Sequence, residues 1–119
     1  MTEPIKLYQL SHCSTCQRTA AELSARGVRF ETRDIRKQPL SRTEVANLAR
    51  FAGGADKLFS RRALAYRRLG LHERTLAPEE MIDLMVEDDT FIRRPVIVQG
   101  ERVVPGCTAR QLEGFLKDA

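Results

Sequence analysis

Apolar and polar residues alternate at the start of the chain, with Ile5 and Leu7 set against Lys6 and Tyr8 in the run to Leu10. A period of two predicts a β-strand over residues 5–10. The period then lengthens. Ser14 and Gln17 have the spacing of a reciprocal capping box and Gly27 marks a stop, so a helix is expected between them. Alternation returns over residues 28–35, where Val28 and Phe30 oppose Arg29, Glu31 and Arg33. A strand, a helix and a second strand in one sheet require parallel strands and a right-handed crossover.

The middle third is patterned for helices. Ser41 and Glu44 form a second capping box ahead of Val45, Leu48, Ala49 and Ala52 at helical spacing, and Gly53-Gly54 closes that segment. Residues 58–69 are expected to form another helix, ended by Gly70. A third opens at Pro78, a favoured first-turn residue, followed by Glu79 and Glu80 where the helix dipole prefers acids. Met81, Ile82, Leu84, Met85 and Val86 are its expected buried side.

Two β-branched runs, 96–98 and 103–104, then flank a short turn containing Gly100, the pattern of a β-hairpin. Thr108 and Gln111 make a third capping box, opening a helix with Leu112, Phe115 and Leu116 on one face. The order is βαβ, a block of helices at about 38–90, then ββα. A parallel pair joined to an antiparallel hairpin makes a mixed four-stranded sheet, and with helices on its faces it resembles the α/β thioredoxin-like fold. The whole chain, 1–119, reads as one such domain carrying a helical insertion.

Composition changes this picture little. A 119-residue chain that is 42% hydrophobic and 30% charged is long enough for a core without disulfide or metal staples. No apolar run approaches the roughly 20 residues needed to cross a bilayer, and the N-terminal residues lack a signal-peptide pattern. A cytoplasmic location, with thiols kept reduced and no membrane partner, is expected. The net charge of +4 is carried largely by arginine and suits an anionic partner. The basic stretch "SRRALAYRRLG" places Arg61, Arg62, Arg67 and Arg68 around a helix and not in one stripe, which argues against direct nucleic-acid binding.

Chemistry enters with "SHCSTCQRT". Cys13 and Cys16 stand three apart at a strand-to-helix junction, in a chain with only three cysteines. One turn of helix brings two such side chains within the Cα separation of roughly 4.4–6.8 Å that a disulfide tolerates. The helix start adds unpaired N–H groups and a positive dipole end, which stabilise a thiolate at Cys13, with Arg18 and His12 able to add positive potential. Thiolates are the nucleophiles of redox chemistry. Two other readings compete. The cysteines could be two small buried residues, or half of a zinc site completed by Cys107 with His12 or His72. Zinc needs four ligands and no second cysteine pair stands at ligand spacing, so the redox reading is preferred and no metal or organic cofactor is expected. Cys107 itself, between a Pro-Gly turn and a helix, reads as a small packed residue, with an auxiliary thiol as the alternative.

The pieces "YQLSHCSTCQRTAAEL", "FSRRALAYRRLGL" and "DDTFIRRPVIVQGERVVPG", in this order and across nearly the whole chain, resemble the thioredoxin-fold family of glutaredoxin-coupled arsenate reductases and the redox-sensing Spx regulators. The resemblance implies that Cys13 is the nucleophile and that Arg94 faces it and holds an oxyanion. It implies a second arginine from the segment Ser60-Arg61-Arg62, and makes Arg93, Ser14 and Thr15 further substrate-binding candidates. It also implies a cis-proline at Pro95, opposite the cysteine loop. Two positions depart from the reductase pattern: serine is usual where Cys16 stands, and a third arginine is usual near Cys107. Cys-x-x-Cys belongs to the Spx-like branch, whose members contact the RNA polymerase α subunit. The resulting expectation is a thiol–disulfide oxidoreductase. In it Cys13 attacks a disulfide, a glutathione mixed disulfide or an oxyanion such as arsenate, Cys16 resolves the product, and glutathione, glutaredoxin or thioredoxin is the reductant. The alternative is an Spx-like regulator that binds RNA polymerase.

Overall fold

A computed structural model describes residues 3–117, which divide into two compact units: residues up to Gln38 together with those from Arg94 onward, and Pro39–Arg93.

The first unit holds the sheet. Strand β1 (Ile5–Gln9) lies between β2 (Phe30–Asp34), parallel to it, and β3 (Val96–Gln99), antiparallel to it, and β4 (Arg102–Pro105) closes the order β2-β1-β3-β4. This is the mixed four-stranded sheet expected from the patterning. Helix α1 (Ser14–Ala25) provides the crossover between β1 and β2, and α6 (Ala109–Lys117) follows β4. Leu23 of α1 and Leu112 and Phe115 of α6 bury against Ile5, Leu7 and Ile97 of the sheet, with Cys107 in the same cluster. The β3–β4 turn places Gly100 at φ 61°, a left-handed conformation that side-chain-bearing residues resist. Thr108 and Gln111 cap α6 reciprocally: the Gln111 N–H donates to Thr108 Oγ1 and the Thr108 N–H to Gln111 Oε1.

The expected Ser14–Gln17 capping box is replaced. Cys13, not Ser14, is the N-cap residue of α1, and the Gln17 amide donates to the Ser11 carbonyl at 2.8 Å. A sulfur one position earlier in the chain has taken the capping role.

The second unit is helical: α2 (Arg42–Ala52), α3 (Ala55–Leu58), α4 (Leu64–Arg68) and α5 (Pro78–Glu87), with short 3-10 turns at Leu71–Glu73 and Asp89–Phe91. The Ser41–Glu44 capping box is present, and Gly53 ends α2 at φ 103°. Arg42 binds Glu79 and Asp83, tying α2 to α5. On α5, Met81, Ile82 and Met85 are buried, Leu84 is half-buried and Val86 is exposed, which narrows the expected apolar side.

The single helix expected over 58–69 is broken. Phe59 forms a lone antiparallel bridge with Ile92, the Arg93 N–H donates to the Leu58 carbonyl, and the Ser60 N–H donates to the Phe91 carbonyl. Phe59 also stacks on Phe91, ring centroids 5.2 Å apart and planes 9° from parallel. A pairing with residues some thirty positions later overrides local helix propensity, so that Leu58 ends α3 and helix resumes only over residues 64–68.

Candidate redox site

The site grows from the end of β1. The Cys13 N–H donates to the Leu10 carbonyl at 3.1 Å, closing a turn with Ser11 and His12 at its centre. Cys13 follows with extended backbone, φ −86° and ψ 116°, and α1 begins at Ser14. Its sulfur accepts the Cys16 N–H at 3.3 Å, the task an N-cap oxygen performs in other helices. Sulfur thus sits on the unpaired donors and positive end of α1, where negative charge is favoured.

Cys16 lies one turn on and is fully buried. Its thiol is pushed up to about 12, first by burial and next by a hydrogen bond with Cys13, while a hydrogen bond with the Leu10 backbone and the charge of Arg94 pull the other way. The two sulfurs are therefore bonded neighbours in the reduced state, with Cys16 holding its proton. Cys13 is half-buried. The two cysteines have different jobs available to them: one sulfur is reachable at a helix start, and the other waits behind it.

Arg94 completes the group. The Arg94–Pro95 peptide is cis, Pro95 is buried, and Val96 after it pairs with Tyr8 near the end of β1. The sheet register thus brings the start of β3 beside the end of β1, from which the cysteine loop departs. Two nitrogens of the Arg94 guanidinium, Nε and Nη1, are buried without a hydrogen-bond partner. Buried donors are nearly always paired, so these two nitrogens stand out among the polar groups of the described residues.

The remaining candidates are placed as follows. Ser14 and Thr15 are exposed in the first turn of α1, and the Thr15 carbonyl accepts from Thr19 Oγ1. Arg61, Arg62 and Arg93 belong to the helical unit: Arg61 lies over the Phe59 ring at 5.9 Å, Arg62 is exposed, and the Arg93 side chain donates to the Lys57 carbonyl at 3.4 Å. Cys107 is buried in the sheet unit's core, its N–H donating to the Pro95 carbonyl and its thiol to the Thr108 carbonyl. Burial pushes that thiol up to about 11, leaving it an inert packed residue. Among the described residues no group of three or more His, Cys, Asp or Glu side chains could hold a metal ion. The patterning did not reveal the capping role of Cys13, nor Asp34, whose carboxylate accepts the Ser11 N–H at 3.3 Å. A signal for Asp34 was present: an aspartate ending a strand before "IRK" is a common start to an Asx turn.

Residues 8–115 match the model of the ArsC family. The chain belongs to the ArsC family. The global transcriptional regulator Spx of Streptococcus pyogenes serotype M1 is 26% identical over 113 residues, covering 94% of this chain and 84% of that protein. The structure of a possible arsenate reductase from Streptococcus mutans UA159 is 27% identical with a TM-score of 0.75, covering 93% and 98% of the two chains. The arsenate reductase from Vibrio cholerae superposes with a TM-score of 0.82 over 98% of both chains, and at 20% identity that likeness concerns the fold alone. The family resemblance read from the cysteine, arginine and hairpin segments therefore holds, and so does the thioredoxin-like fold. Relatives of this ArsC-family chain carry the names of both reductases and regulators. No helix among the described residues is long and apolar enough to cross a membrane.

Proposed function

We propose that the protein is a dithiol oxidoreductase in which Cys13 is the nucleophile, Cys16 the resolving thiol and Arg94 the anion holder. The observation that carries this reading is the Arg94 guanidinium, with two buried and unpartnered nitrogens, whose charge acts on Cys16 of the cysteine pair. A fixed planar cation beside a nucleophilic sulfur suits a substrate that brings or develops negative charge there.

The chemistry balances as follows. The Cys13 thiolate attacks one sulfur of a disulfide, forming a mixed disulfide and expelling the other sulfur as a thiolate that takes up a proton. Cys16 then loses its proton and attacks Cys13 Sγ, expelling the second thiolate and leaving a Cys13–Cys16 disulfide. The substrate gains two electrons and the protein loses two. With arsenate the first step forms an S–As(V) bond with loss of water, and the second releases As(III). Glutathione, glutaredoxin or thioredoxin returns the dithiol. Ser14 and Thr15, in the first turn of α1, would add contacts to the anion, a role supported by the family resemblance.

The test is an NADPH-coupled glutathione assay with arsenate and with a glutathionylated peptide, run on wild type and Cys13→Ser. Peptide mapping of the oxidised product accompanies it. Turnover that disappears in the variant, with a Cys13–Cys16 link in wild type and Cys107 free, is the expected outcome; a dominant Cys13–Cys107 link would sink the mechanism.

A second reading rests on the Cys-x-x-Cys pair and the likeness to Spx. The same disulfide would then report redox state to a protein partner, the RNA polymerase α subunit. Absence of turnover with both substrates, together with redox-dependent binding to that subunit, would favour it.

A further inference from the structure

We propose that Asp34 and Gln17 are positioning residues for Cys13, gripping both backbone polar groups of Ser11 and thereby fixing the turn that presents the sulfur to α1. The inference rests on Cys13 being the reactive thiol.

Ser11 is a central residue of the turn closed by the Cys13 N–H and the Leu10 carbonyl. That turn leaves both of its own polar groups unused, and each is taken from outside. The Ser11 N–H donates to Asp34 Oδ2 at 3.3 Å, and its carbonyl accepts from Gln17 Nε2 at 2.8 Å. The two holders are themselves anchored. Asp34 ends β2 opposite Gln9, the next N–H in the chain donates to the Gln9 carbonyl, and Oδ1 accepts the N–H groups of Arg36 and Lys37 at 2.9 and 3.2 Å. Gln17 lies on the first turn of α1, with its N–H on the Cys13 carbonyl at 3.0 Å. The turn is thus held from a strand on one side and from a helix on the other, two residues before the sulfur. Burial alone would raise the Asp34 carboxyl, yet the N–H groups of Arg36 and Lys37, with the hydroxyl and N–H of Ser11, outweigh it and lower its pKa, keeping the acceptor ionised.

A bland account of Asp34 is that it merely closes its own turn at residues 34–37. Asp34→Asn separates the two accounts. The amide oxygen can keep Arg36 and Lys37, while the amide NH2 meets the Ser11 N–H donor to donor and breaks that contact alone. The substitution also removes a negative charge from a site that holds Cys16 and Arg94, with Arg36 and Lys37 next to the same carboxylate. The two effects on Cys13 have opposite signs. Loss of a nearby negative charge eases ionisation and moves the pH midpoint of Cys13 alkylation down, whereas loss of the grip loosens the Cys16 N–H on the sulfur and moves it up. Gln17→Ala loosens the same turn with no change in charge.

The experiment measures iodoacetamide labelling of Cys13 against pH in wild type, Asp34→Asn, Gln17→Ala and the double variant, with helix content followed by circular dichroism. Gln17→Ala is expected to slow labelling at neutral pH by about three- to tenfold, the size of one hydrogen bond, with the midpoint displaced upward and helix content kept. Asp34→Asn is expected to slow labelling less, because the lost charge offsets part of the lost grip. Because both residues act through Ser11, the double variant should lose less than the product of the singles. Unslowed labelling or a downward midpoint in Gln17→Ala, or fully multiplicative losses, would overturn the proposal. Wild-type protein that labels first at Cys16 or Cys107 overturns the nucleophile assignment instead, and does so before any variant is compared.

Discussion

Replacing Arg94 by methionine separates what this residue does for the fold from what it does for chemistry. Its Nε and Nη1 are buried without partners. A buried polar group left unsatisfied costs about 1–3 kcal/mol. Methionine has a similar length, packs against apolar neighbours and brings no unsatisfied donor. Against the relief of two such nitrogens stands the loss of packing by the guanidinium's carbons and of its attraction to the cysteine pair. Taking one nitrogen's worth as the net, Arg94→Met should stabilise the chain by about 1–2 kcal/mol. For a domain of this size that is a rise in Tm of about 4–8 °C. Turnover should move the other way and fall by about ten- to a hundredfold, the size of one charge-assisted contact. Differential scanning calorimetry with and without added phosphate or arsenate supplies a further check. A bound anion stabilises the native state by mass action, so the wild type should gain Tm with anion and the variant should not. A variant that melts several degrees lower while keeping its turnover would refute the reasoning, since Arg94 would then be a structural residue whose hydrogen bonds are satisfied in solution.

Two further outcomes follow from the cysteines. Cys13→Ser should abolish turnover yet hold Tm at or slightly above the wild-type value, because serine is a strong N-cap residue and can accept the Cys16 N–H in place of sulfur; a loss above about 1 kcal/mol would mean that the sulfur is not capping α1. Burial raises Cys16 to about 12 and Cys107 to about 11 from 9.0, so the unfolded chain ionises first. Their contribution to stability is complete below pH 9 and is lost as pH climbs through 11 and 12, with a slope of at most about 1.4 kcal/mol per pH unit for each group. Urea unfolding of Cys107→Ala across this range should show a shallower decline than wild type, and an unchanged slope would mean that Cys107 is solvated.

Legibility in the sequence followed the range of the interactions. The second and third capping boxes, the Pro78 start and the hairpin turn are encoded within a few residues, and they formed where the pattern placed them. The cis peptide before Pro95 was legible only through the family outline, not through composition. What failed was decided at a distance or by unusual chemistry. Residues 58–63 carry no local mark of a break, because the cause is Phe59 pairing with Ile92 and stacking on Phe91. The first capping box failed because the Cys13 sulfur caps α1 in place of Ser14, and because the Ser11 carbonyl competes for Gln17. At the site, Cys13, Cys16 and Arg94 were readable as residue types, while the division of labour between the two sulfurs depends on burial, which no spacing reveals.

The pairing of Tyr8 with Val96 has a consequence for the order of events in synthesis. Cys13 leaves the ribosome early, whereas Arg94 and β3 emerge only after most of the chain has been made. Closing so long a loop is slow in comparison with forming a local helix. Until it closes, the nascent chain carries the two cysteines at a helix start without Arg94 and the start of β3 beside the end of β1. On the proposed mechanism, the complete site is therefore assembled only with completion of the sheet, late in the making of the chain.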